Sequence, residues 1–80
     1  MLEVTVVSPQ EVIFKGSANS VILPGEKGIF EILPFHKPLL SRLIAGRLIV
    51  DQHSFEIIRG IVKVTRNSVT AVVEGGEVVQ

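Results

Sequence analysis

The chain has 80 residues, enough for one domain that buries roughly 60–65% of the surface its unfolded form exposes. Its hydrophobic content of 46% is high for a domain of this size and is a first hint that a partner covers part of the surface. Eight basic and eight acidic side chains without a run of one sign disfavour a nucleic-acid partner, and the lack of cysteine excludes a disulfide or thiolate site in this sequence.

Alternation of apolar and polar residues starts at the N-terminus and predicts β-strands. The opening MLEVTVV has no basic region of a secretory signal, and no apolar run approaches the ~20 residues of a transmembrane helix. A second strand is predicted to end at Gly16 and a third to span Ser17 to Leu23. Pro24-Gly25 is typical of a type II turn. A fourth strand, Ile29 to Leu33, precedes Pro34, which cannot donate to a ladder.

The second half of the chain continues this pattern. Leu39 to Ala45 is apolar and predicted to be extended, with one helical turn as the alternative. Two hairpins follow, with the polar turns Asp51-Gln52-His53 and Arg66-Asn67-Ser68, and Asn67 is expected to take the left-handed conformation. Their strands are Gly46 to Val50, Ser54 to Arg59, Ile61 to Thr65 and Val69 to Val73. Glu74 to Gln80 resembles a fraying tail.

These short strands predict one domain over residues 1–80, an all-β, two-sheet antiparallel β-sandwich of about eight to ten short strands. One face of the period-2 pattern supplies the predicted core. Its members are Val4, Val6, Val21, Leu23, Phe30, Ile32, Val62, Val64 and Val72. If Phe30 is buried, its truncation to alanine should cost roughly 3–5 kcal/mol.

Residues that could carry chemistry are few. Asp51 and His53 could share one metal ion, but a closed site needs about four ligands, so a solvated turn is the expectation. The loop from Gly25 to Gly28 carries Glu26 and opens into a strand, so it does not match a phosphate-binding loop. His36 has a proline two residues away on each side, which indicates a stiff surface corner. We therefore expect no catalytic residue, cofactor or metal.

Three blocks of the sequence carry a family resemblance: SPQEVIFKG, VILPGEKGIFEILPFHKPLLSRL and IIRGIVKVTRNSVTAVVE. In this order they resemble the N-terminal β-sandwich of the ε subunit of F-type ATP synthases, over nearly the whole chain. The sequence departs from the family pattern at four positions. Glu31 and Phe35 stand where glycine is usual, Lys37 replaces alanine, and Arg59 replaces the first of two glycines. Because phenylalanine cannot take positive φ as glycine can, Phe35 is expected to avoid that conformation and to alter the loop before His36.

The resemblance implies a non-catalytic rotor subunit that links the γ subunit to the c ring and couples ion flow to ATP synthesis. It implies a peripheral protein on the cytoplasmic face of a bacterial inner membrane, without direct insertion into the membrane. The positions that it places beside γ are Ser8, His36 and Ser41. Those that it places against the c ring are Glu26, Lys27, Gly28, Ile29 and His36.

Family members continue into a two-helix region that inhibits hydrolysis or binds ATP in some bacteria, so this chain is either naturally short or an excised domain. The sandwich alone is expected neither to bind ATP nor to inhibit. The coupling ion, proton or sodium, stays open. Two other functions remain alongside the rotor reading: a stand-alone β-sandwich adaptor, and a small hydrolase with His36 or His53 as general base.

Overall fold

All regular structure in the computed structural model, which describes residues 1–79, consists of β-strands. The eight strands are β1 (Leu2–Val7), β2 (Val12–Ala18), β3 (Val21–Gly25), β4 (Gly28–Ile32), β5 (Leu39–Leu43), β6 (Gly46–Val50), β7 (His53–Thr65) and β8 (Ser68–Val79). Residues 1–79 contain no helix, so no helical segment among them could span a membrane. The prediction of an all-β domain is confirmed, and Leu39–Leu43 is extended rather than helical.

The strands pair in the order β2-β1-β8-β7-β5-β3-β4, and β6 pairs with both β3 and β7. The long strand β7 uses its first half to pair with β6 and its second half to pair with β5. Its register with β8 shifts around Ile57, and irregularities of this kind bend a strand. The ladder thus folds over a single core as a β-sandwich. One pairing departs from the antiparallel expectation, because β1 and β8 run parallel.

Several predicted strand boundaries are wrong. Pro24 and Gly25 do not form a turn but end β3, and the turn that follows is Glu26-Lys27. Pro24 has no N–H to donate to the ladder, but its carbonyl accepts the Ile44 N–H at 2.8 Å. A Cβ on Gly25 would lie 2.7 Å from the Phe30 ring, so Gly25 provides space for an aromatic side chain rather than a turn conformation.

Two glycines predicted to end strands lie inside them. Gly16 lies within β2, and Gly60 lies within β7. The C-terminal segment is also more ordered than predicted, because β8 continues to Val79 and pairs with β7 beyond the bulge. Gly75 and Gly76 accommodate the bend with φ values of 94° and 88°. Gln80, the last residue of the predicted tail, lies outside the described residues.

The core contains seven of the nine predicted residues. Phe30 is only half-buried, so its truncation should cost less than the range given above. Val72 is 49% exposed, because the buried phase of β8 runs through Val69, Ala71 and Val73. In a continuous apolar run such as Ala71–Val73, the sequence does not show which side chains face the core. Pairing with β7 decides this.

The turn conformations differ from those predicted. In the β7–β8 turn Arg66, not Asn67, has positive φ, at 55°. The Asn67 side chain instead accepts the Phe35 N–H at 2.8 Å, and its carbonyl accepts the Glu3 N–H at 2.7 Å. Phe35 itself has φ 69°, so it adopts positive φ despite its side chain. The expectation that Phe35 avoids this conformation is wrong because the tertiary hydrogen bond holds its backbone in place.

Candidate interaction surface

The side of β5, β7 and β8 that faces away from the core carries apolar side chains. Arg42, Ile61 and Val72 are partners in one row across these strands. Ile61 is 51% exposed, Leu40 on β5 is 71% exposed, and Ile44 follows β5 at its end. We call the surface formed by Leu40, Ile44, Ile61 and Val72 the outer face. Sheet pairing assembles it from residues that are up to 32 positions apart in the sequence.

The outer face contains a groove of about 380 Å³. Apolar side chains of Pro9, Ile44, Ile61 and Val72 line its floor, and Arg42, Arg59, Glu26 and Glu74 stand at its rim. Arg59 Nε lies 3.7 Å from Glu74 Oε2, but both side chains are largely exposed, so this ion pair contributes little stability. An apolar floor within a charged rim is the usual anatomy of a protein–protein interface.

The loop between β3 and β4 extends the apolar surface. Its tip carries Glu26 and Lys27, and the exposed Ile29 follows on β4. A second hollow, of about 620 Å³, is lined by Ile29, Ile44 and Ile49 among others. Because Ile44 and Glu26 line both hollows, the apolar surface is continuous from this loop to the outer face.

The segment Leu33–Pro38, which we call the His36 corner, lies at the opposite end of β4 from the Glu26-Lys27 tip. His36 is half-buried, and its N–H donates to the Leu33 carbonyl at 3.2 Å. Its Nδ1 lies 2.6 Å from the Lys37 carbonyl, so a backbone acceptor orients the ring. The corner leads into the start of β5. The other end of β5, about 13 Å farther along the strand, pairs with Gly25.

The residues predicted to contact one partner do not form one patch. Ser8 accepts N–H groups from Gln10 and Glu11 in the turn after β1, next to Pro9 and the groove. Ser41 is half-buried on the core side of β5, and its hydroxyl donates to the Arg42 carbonyl at 3.2 Å. The residues predicted to contact the ring, Glu26 to Ile29, lie together, but His36 lies apart from them.

The outer face was missed by sequence reasoning, although the sequence carries a signal for it. In the run IIRGIVKVT, Ile61 stands out of phase with the buried Val62 and Val64 and so faces the solvent. An isoleucine on the solvent side of a strand is unremarkable alone. It becomes informative when pairing places Val72 and Leu40 beside it.

The turn residues Asp51 and His53 have structural contacts. The Asp51 carboxylate accepts the N–H groups of Asn19 and Ser20 at 3.0 and 3.1 Å, and thereby joins the turn before β3 to the turn after β6. The His53 ring lies 5.5 Å from the Phe14 ring.

Among residues 1–79 no cluster of three metal-ligating side chains occurs. The hydrolase alternative requires a nucleophilic hydroxyl within hydrogen-bonding distance of an imidazole nitrogen. The Nδ1 atom of His36 instead contacts the Lys37 carbonyl oxygen.

Replacing Asp51 with alanine should lower the free energy of unfolding by about 1–2 kcal/mol, since two backbone N–H groups lose a charged acceptor. Asp51 also has φ 51°, which asparagine tolerates better than alanine. We therefore expect Asp51→Asn to lose less than half as much in urea unfolding. The neighbouring Gln52→Ala serves as control and should stay within about 0.5 kcal/mol of wild type. Equal losses for Asp51→Ala and Gln52→Ala would contradict the contact.

The fold and the outer face together define a small all-β domain with an exposed apolar surface of the kind found at protein–protein interfaces. A family profile described as "ATP synthase, Delta/Epsilon chain, beta-sandwich domain" matches residues 1–78. The chain belongs to this family. The resemblance inferred from the sequence is thereby confirmed over nearly the whole chain.

Curated relatives are ATP synthase epsilon chains. That of Leptospira interrogans is 34% identical over 79 residues, covering 94% of this chain and 62% of the relative. That of Nitratiruptor sp. is 40% identical over 79 residues, covering 92% and 61%. The epsilon chain of Chlorobaculum tepidum is 35% identical over 74 residues, covering 86% and 84%. This chain therefore spans about three fifths of the length of the first two relatives.

Two solved structures share the fold. A chain of the Tetrahymena thermophila mitochondrial ATP synthase central stalk and c ring aligns with a TM-score of 0.75 at 21% identity, covering 91% of this chain and 63% of that one. A chain of the Euglena gracilis mitochondrial ATP synthase aligns with a TM-score of 0.89 at 18% identity, covering 96% and 52%. At these identities the alignments establish the β-sandwich fold.

Proposed function

We propose that this domain is the sandwich part of a rotor subunit that links γ to the c ring and couples ion translocation to ATP synthesis. It acts as a mechanical connection and performs no catalysis. Its place would be the cytoplasmic face of a bacterial inner membrane, as a peripheral component of the ATP synthase. Family membership supports this proposal, and so do the central-stalk and c-ring assemblies in which the fold recurs.

The continuous apolar surface described above is the structural feature that supports this proposal most directly. Ile61, Val72 and Ile44 are large apolar side chains grouped on one side of an 80-residue domain, where their exposure to water is unfavourable. A stable subunit contact on the outer face would remove them from water. We assign this contact to γ, with Ser8 at the edge of the groove and the His36 corner before the start of β5. Ser41, in the middle of β5, lies on the core side of that strand and does not contribute to the outer face.

The β3–β4 loop suits the second contact, that with the c ring. Glu26 and Lys27 form a charged tip of a two-residue hairpin, and the strands on both sides restrict its movement. A short, stiff and charged projection fits the polar loops of a ring better than it fits an apolar pocket. Residues Glu26 to Ile29 would make this contact.

Ile61→Asp should weaken the binding of purified γ at least about 100-fold in a calorimetric titration, because it places a charge in the centre of a desolvated interface. Ile61 is half-exposed, so the variant should fold. Val78→Asp is the matched control, since Val78 is also exposed and apolar but lies beyond the β7–β8 bulge. Its affinity for γ should equal that of wild type.

Wild-type affinity for Ile61→Asp would show that γ binds elsewhere. If the wild-type domain itself fails to bind γ, the rotor function is wrong, and the stand-alone adaptor becomes the better account of the outer face.

A further inference from the structure

Phe35 combines two features that are unfavourable in an isolated domain. Its φ of 69° lies in the left-handed region, which side chains other than glycine, asparagine and aspartate seldom adopt. Its side chain is also 88% exposed, so burial within the domain does not offset the backbone strain. Strain of this kind persists where a structure holds a residue for a role outside local stability.

Several contacts fix the position of Phe35. Its N–H donates to Asn67 Oδ1 at 2.8 Å, which ties the corner to the β7–β8 turn. The next residue, His36, bonds to carbonyls on both sides of Phe35, those of Leu33 and Lys37. Pro34 further restricts the backbone. The aromatic ring is therefore held on a stiff support, and an anchor of this kind loses little conformational freedom on binding.

Basic residues lie on the segments next to the corner. Lys37 follows within the corner, and Arg66 lies in the turn whose Asn67 binds Phe35. Lys63 lines a shallow hollow together with Pro38 and Leu40. The nearby acids are Glu31 on the edge strand β4 and Glu3, which accepts a hydrogen bond from Ser17. Three exposed basic residues thus belong to the segments that join at the His36 corner, and a complementary partner would carry carboxylates.

We propose that Phe35 is an anchor that inserts into an apolar pocket, rimmed by carboxylates, on the same subunit that covers the outer face. This inference rests on the proposed function and adds a second contact point to it. Leu40 supports the connection, because it belongs to the outer face and also lines the hollow next to the His36 corner. The outer face supplies a broad apolar contact, and Phe35 supplies a specific one.

Two other occupants fit the corner less well. In a two-fold dimer that paired one corner with another, Lys37 and Arg66 would face the same cations of the second copy. A lipid surface suits the cations but would receive one protruding aromatic ring, and stable membrane attachment needs more than one such signal. A single aromatic side chain in a protein pocket is sufficient for a binding hot spot.

Phe35→Gly separates the two contributions of this residue. Because glycine adopts positive φ without strain, the midpoint of thermal unfolding should rise or stay unchanged. The affinity for purified γ should nevertheless fall roughly 10- to 100-fold in a calorimetric titration. Phe35→Tyr keeps the ring and should bind within about threefold of wild type, so loss of the aromatic ring explains the effect.

Unchanged γ affinity of Phe35→Gly, together with weak binding of Ile61→Asp, would overturn this inference and leave the proposed function intact. If the wild-type domain does not bind γ, both the proposed function and the Phe35 anchor are wrong. Two further readouts test the other occupants: co-sedimentation with vesicles of phosphatidylglycerol and phosphatidylcholine, and sedimentation velocity of the domain. Binding to vesicles or dimerisation that depends on Phe35, with γ affinity unchanged, would overturn the inference in favour of lipid or of a second copy.

Discussion

Leu48→Ala should lower the free energy of unfolding by about 2–5 kcal/mol, the range for removal of a fully buried leucine side chain. Leu48 has no solvent-accessible surface and lies opposite Phe55, which is also buried, in the β6–β7 pair. Strands on both sides limit how far the cavity can collapse. The total stability of an 80-residue domain is about 4–12 kcal/mol, so this one change removes a large share of it.

Leu40→Ala is the matched control, because it deletes the same atoms from a side chain that is 71% exposed. We expect its free energy of unfolding in urea to stay within about 0.5 kcal/mol of wild type. Similar losses in the two variants would show that the assignment of inner and outer faces is wrong. Leu40→Ala should also reduce γ binding modestly, since Leu40 belongs to the outer face.

Gly60→Ala should destabilise the domain by roughly 1–3 kcal/mol, as expected for overpacking of a close contact. A Cβ at Gly60 would lie 2.6 Å from the Val72 carbonyl oxygen and 3.1 Å from the Val73 Cα. These are backbone atoms of the paired strand β8, so they cannot rotate away as a flexible side chain would. The strands would have to separate locally, which weakens the ladder.

Gly16→Ala provides the control for this effect. Gly16 also lies within a strand, but its added Cβ would meet only the Phe14 ring, at 3.6 Å, an ordinary van der Waals distance. Its φ is not in the left-handed region, so alanine fits without strain. Urea unfolding should show a neutral or slightly stabilising change. A loss at Gly16 equal to that at Gly60 would mean that glycine is needed for flexibility rather than for close approach.

The close approach at Gly60 shows why some glycines could not be interpreted from the sequence. Gly16, Gly25 and Gly60 were each assigned to a strand end or a turn, because glycine usually interrupts regular structure. In the folded chain Gly25 and Gly60 lie within strands to make room, for the Phe30 ring and for the β8 backbone respectively. The atoms that require this room come from other parts of the fold, so local pattern does not reveal them.

The all-β class, the two C-terminal hairpins and most of the core could be predicted from the amino-acid sequence, because period-2 alternation and turn residues act locally. The family could be recognised as well, because three blocks of sequence carry its pattern in the right order. Features that depend on pairing between distant strands could be seen only in the folded chain. The exposed side of Val72 follows from its pairing with Ile61, and the positive φ of Phe35 is held by Asn67, 32 residues away. Both candidate contact sites, the outer face and the Phe35 anchor, arise from such long-range pairings, since only these fix which apolar side chains remain in water.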